Sequence, residues 1–92
     1  MQNNHRLVHI KWLDSRQPTP AWQFVDSTSA HTACNCVSVG FLVHEDKSVK
    51  VLAPNLADVD KEDVQASGMI TIPVCSITQV TDLSQSPTAI AS

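Results

Sequence analysis

Tyrosine is absent from this sequence, glycine occurs twice, and lysine and arginine together number six. Each shortage excludes a class of function. Two isolated glycines, Gly40 and Gly68, cannot build a glycine-rich phosphate loop. Six basic residues against nine acidic ones leave a net charge of −3. The chain therefore has no basic surplus with which to displace counterions from DNA or RNA. Aromatics make up 4% of residues, and with Trp12 and Phe41 read as core, few remain to stack on bases. Nucleic acid is not an expected partner. No apolar run reaches the roughly 18 residues of a membrane-spanning helix, so no membrane role is expected. Met1 to Arg6 hold no apolar stretch of signal-peptide length, and the expected address is the cytoplasm.

What is present describes a small folded domain. The chain has 92 residues, 42% hydrophobic and 16% charged, which is too apolar for a disordered tail. Its length fits one domain with one modest core. The expected organisation is a flexible N-terminus over 1–6, a single domain over 7–83 and a flexible tail over 84–92. Three cysteines, Cys34, Cys36 and Cys75, are an odd number and are expected as reduced thiols. A Cys34–Cys36 bridge would be strained, because residues i and i+2 on a strand lie about 6.5–7 Å apart.

Valine occurs 11 times and threonine 7 times, and β-branched residues favour a pleated, half-buried surface. The expected class is mainly β, with about five strands and at most one short helical turn. Leu7 to Leu13 is the first strand, with Val8, Ile10 and Trp12 alternating against His9 and Lys11. Asp14 to Pro20 is a long first loop. Ala21 to Val25 follows as a strand or the return limb of that loop, and Asp26 to Ser29 is a polar break. Val37, Val39, Phe41 and Val43 alternate along the next strand, with Ser38, Gly40 and Leu42 on the other face. A charged turn over His44 to Ser48 leads into a return strand of Val49, Val51 and Ala53, which Pro54 ends. Gly40 suggests a bulge or sharp bend. Asn55 could cap a helical turn through Val59. Met69 to Ile72 is a further strand, Val74-Cys75-Ser76 a 3-10 turn, and Ile77, Val80 and Leu83 resume the pattern.

The segment Ile70 to Ile77 resembles the end of an SH3-like small barrel, where a strand runs through a 3-10 turn into a short closing strand. The whole pattern is similar to that of short bacteriophage and prophage proteins of unknown function. Its marks are Trp12-Leu13-Asp14-Ser15, then Trp22, then Ser38 to Val43, then Ile72-Pro73 and Ile77, together covering roughly residues 8 to 83. The resemblance implies an SH3-like barrel and a viral context. It implies no activity and no catalytic residues. The Cys-x-Cys and the long polar stretch before Val37 depart from the pattern.

Candidate chemistry is sparse. His31, Cys34 and Cys36, with Cys75, offer sulfur and nitrogen ligands of the kind zinc takes. Their spacing is not that of a structural zinc site, and no metal or cofactor is assigned. Asp58, Asp60, Glu62 and Asp63 echo a calcium loop but lack its glycine at the sixth position and its glutamate at the twelfth. Cys34 or Cys36 with His31 gives a thiol and an imidazole with no third group to orient them, so catalysis is not expected. Trp22 follows Pro18-Thr19-Pro20, as in ligand-facing loops of SH3-like barrels, and aromatics are enriched in binding hot spots. The competing reading makes Trp22, with Phe24 beside it, a plug over one end of the barrel.

The expected function is therefore a non-catalytic binding module for a protein or peptide partner. Its surface is Asp14, Ser15, Arg16 and Trp22, with Ser38 and Gly40 nearby. A second reading is an oligomer that sequesters a nucleotide immune signal, with Arg6, Lys11, Arg16 and Trp22 facing phosphates and base. A third is a minor virion or assembly component.

Overall fold

Val8 and Ile10 alternate with His9 and Lys11, and that alternation sets an inner strand of the main sheet. A computed structural model describes residues 5–26, 31–88 and 90. Residues 1–4, 27–30, 89 and 91–92, on which parts of the expected flexible N-terminus, polar break and tail fall, lie outside the described residues. Seven strands form: β1 (Leu7–Asp14), β2 (Cys34–Glu45), β3 (Val49–Ala53), β4 (Asn55–Ala57), β5 (Gln65–Ser67), β6 (Ile70–Pro73) and β7 (Ile77–Asp82). A 3-10 turn, Val74–Ser76, joins β6 to β7. Five strands make one antiparallel sheet in the order β6-β3-β2-β1-β7, and β4 pairs with β5 in a separate hairpin. Among the described residues no helix is long and apolar enough to cross a membrane.

The sheet is open, with β6 and β7 as its two edges. Closure into a barrel, which the Ile-Pro unit favours, is not what the strands do. Closure would require β6 to pair with β7, and among the described residues no ladder joins these two edges; β3, for its part, stops at Ala53. Ala53 pairs with Phe41 as the last residue of β3, and Pro54, without an amide, cannot extend the ladder. The chain diverts into β4 instead, so β2 before Phe41 keeps β1 as its sole neighbour in the sheet.

The core consists of Val8, Ile10, Leu42, Leu52, Ala53 and Ile72, with Trp12 and Ile77 packed against it half-buried. The expectation that Phe41 is core is corrected here. Val8 lies opposite Gly40 and Ile10 opposite Ser38, so the small residues of β2 face inward. Phe41 faces the other way, opposite Leu7, and is half-buried. Both faces of β2 are apolar or small, and the fit of large against small selects the inner one. Gly40 itself stays in regular register with Val8. The irregularities fall between Leu42 and His44, and between Lys11 and Trp12.

The helical turn expected after Asn55 is strand β4. Leu56, Val64 and Ala66 are half-buried while their neighbours are exposed, which is the period of two of extended chain. The first loop forms no strand over Ala21 to Val25.

The β2–β3 turn is held by one carboxylate. Asp46 Oδ1 accepts the amides of Ser48 at 2.7 Å and Val49 at 2.9 Å, and His44 Nε2 lies 2.9 Å from Oδ2. These hydrogen bonds, that of His44 foremost, hold the Asp46 carboxyl down to about 2, against 3.8 ordinarily. Its folded-state value lies below its unfolded one. The turn therefore has this stabilisation in full above pH 4, and loses it as pH falls through about 2. Asp46→Asn is expected to flatten the decline of the thermal midpoint between pH 4 and 2. An unchanged decline would place the acid sensitivity elsewhere.

Candidate functional site

Where β1 ends, its last residue begins the candidate site. Asp14 Oδ1 accepts the Ser15 amide at 2.8 Å, a local bond that turns the chain out of the strand. Arg16 then reaches across the loop. Its Nε donates to the Thr32 carbonyl at 2.7 Å, and its second guanidinium nitrogen lies 3.5 Å from the Ala33 carbonyl. His31 Nε2 donates to the Val25 carbonyl at 2.7 Å, a bond that fixes the proton on Nε2. These contacts tie both limbs of the long loop to the entry of β2.

A cleft of about 800 Å³ opens among these groups, lined by Asp14, Ser15, Arg16, Gln23, His31 and Cys34 together with Gln17 and Thr19. Three residues expected at the site, Asp14, Ser15 and Arg16, are thus brought together. Trp22 is not part of the lining and stands fully exposed at 102% of its reference area. Phe24 is 89% exposed and Val25 likewise projects. The plug reading of Trp22 is set aside by that exposure. Ser38 and Gly40 lie elsewhere. Ser38 accepts the Trp12 indole N–H at 3.0 Å, and Gly40 is buried against Ala53. The sequence reading missed Gln23 and named Phe24 only as part of a plug. The signal was there: Trp22, Phe24 and Val25 form an apolar cluster with no paired strand to bury it.

The cysteines divide. Cys34 and Cys36 sit two apart on β2, sulfur to sulfur at 3.8 Å, with the Cys36 thiol also 3.6 Å from the Cys34 carbonyl. Burial pushes the Cys36 thiol up, the Cys34 hydrogen bond and the Cys34 and Asp14 charges act the same way, and Arg16 opposes them. A thiol so placed stays protonated at neutral pH and is a poor nucleophile. Cys75 lies exposed in the 3-10 turn. Among the described residues no three His, Cys, Asp or Glu side chains gather as a metal-holding group.

The cationic groups of the nucleotide reading do not converge within one chain. Arg6 is bound to Asp82 at 2.7 Å and to Glu45 at 3.5 Å beyond one end of β1. Arg16 is beyond the other end, roughly 30 Å away at the rise of an extended strand. Compared with protein-family models, with curated proteins and with solved structures, the chain finds no match.

Proposed function

We propose that this protein is a non-catalytic binding module that grips a protein or peptide partner through the loop around Trp22. The observation that carries this is the exposure of Trp22, Phe24 and Val25 on a loop whose base is hydrogen-bonded at Arg16 and His31. Large apolar side chains held on an anchored loop are what an interface hot spot needs. The Asp14–Arg16 cleft beside them offers one charge of each sign for a polar rim. The connectivity supports an SH3-like origin. The 3-10 turn carries the chain from one edge strand of the sheet to the other, as the closing unit of such barrels does, and the barrel is left open here. The Trp12 to Ser15, Trp22, Ser38 to Val43 and Ile72-Pro73 series supports a phage or prophage setting, with the host cytoplasm as the place of action.

Trp22→Ala is expected to abolish capture of the partner from host extract, read by affinity purification and mass spectrometry. An exposed substitution changes stability by no more than about 0.5 kcal/mol, so the thermal midpoint should hold within about 3 °C. Undiminished capture, or a collapse of the midpoint, would overturn the reading.

A further inference from the structure

We propose that the unpaired edge of β2, residues 34–40, is the seam of a symmetric homodimer in which two copies join β2 to β2 antiparallel. The inference is independent of the Trp22 loop and goes beyond its role.

β1 pairs with β2 from Cys34 to Phe41 along one edge, whereas β3 covers the other edge only from Phe41 to Glu45. The segment 34–40 therefore has its second edge open. Among the described residues no backbone–backbone bond outside the β1 ladder reaches that segment. Every second N–H and C=O group along it points away from β1, and among the described residues none of these has a backbone partner. Exposed edges are normally blunted by charge, proline, a bulge or a covering element. Edge strand β6 is four residues long and ends in Pro73, and β7 ends in Asp82. Within 34–40 the β2 edge carries no charged residue and no proline, and among the described residues no strand pairs with it. No Asp, Glu, Lys or Arg occurs from position 27 to 44. On the outer face of the same segment Val37 is 58% exposed and Val39 51%.

The occupant these features fit is a second copy of the chain. An uncharged, alternating strand is complementary to itself, and two copies meet without like charges opposed even though each chain carries −3. A charged peptide would find no counter-charge there. Centred on Val37, the pairing sets Cys34 against the other copy's Gly40 and uses the whole free edge. Val37 then meets its own counterpart across the two-fold axis. Such an isologous contact consumes both open edges and stops at two chains.

Sedimentation equilibrium over about 1–100 µM tests this. The wild-type chain should reach twice its 10.0 kDa mass. Val37→Lys puts two ammonium groups face to face at the axis, and should raise the dissociation constant at least about 100-fold. Val80→Lys, on the edge strand β7, should leave the dimer intact. A second variant covers a folding failure of Val37→Lys. With the three native cysteines changed to serine, Val37→Cys should cross-link two chains under mild oxidation, whereas Val80→Cys should not. A wild-type monomer at 100 µM would overturn the proposal. So would a dimer that survives Val37→Lys, a dimer that Val80→Lys breaks, or a Val37→Cys chain that does not cross-link.

Discussion

Ile10→Ala is expected to remove a third to a half of the stability of this domain. Ile10 is fully buried and packs with Val8, Leu42, Leu52 and Ile72. Deleting such a side chain costs about 2–5 kcal/mol, because the lost transfer energy adds to the cavity left behind. A domain of this length holds roughly 5–14 kcal/mol in total, and the six buried hydrophobic side chains among the described residues place this one toward the lower end. The urea midpoint should fall by at least a third with its slope unchanged, and the thermal midpoint by about 10–20 °C. A loss below about 1 kcal/mol would show that the stabilising contacts lie elsewhere.

Gly40→Val is expected to be nearly as damaging for the opposite reason. A Cβ at position 40 would stand 3.0 Å from the Ala53 carbonyl oxygen and 3.2 Å from its carbon. Both are backbone atoms of the neighbouring strand and cannot swing aside as a flexible side chain could. The substitution must push β3 off β2 where β3 ends, and overpacking of this kind costs about 1–3 kcal/mol. Position 40 also lies opposite Val8, so the displaced strands open the core at its buried end. Gly40→Ala should show part of the loss and Gly40→Val all of it. Equal and negligible effects in equilibrium unfolding would mean that β2 and β3 separate freely there.

The two substitutions mark what the sequence made legible and what it hid. The strands around Val8–Ile10, the hairpin turn at Asp46, the break at Pro54 and the 3-10 turn after Pro73 were all visible, because each rests on local chemistry. The inward face of β2 was not. Val37, Val39, Phe41 and Val43 give the stronger alternation, yet Ser38, Gly40 and Leu42 face the core. That choice depends on what stands opposite, Val8 and Ile10, and no single strand carries that information. Strand β4 was hidden likewise. Asn55 can start a helix, and only the distant partner Ser67 makes it the first residue of a ladder. At the site, Asp14, Ser15 and Arg16 were legible as turn residues. The reach of Arg16 to Thr32 spans 16 residues, and a contact of that span has no local signature.

The turn from β6 into β7 also has a bearing on time. It delivers the last strand to β1, the first, so Val8 pairs with Asp82, and Arg6 clasps the same aspartate 76 positions away. On a ribosome this ladder cannot form until the chain through Asp82 has emerged. Until then the β7-facing edge of β1 waits unpaired in the nascent chain. Contacts of such sequence separation put folding in the millisecond-to-second range of β-rich domains. The C-terminal strand therefore acts as a latch, and chains cut short of Ile77 should leave synthesis without a finished sheet.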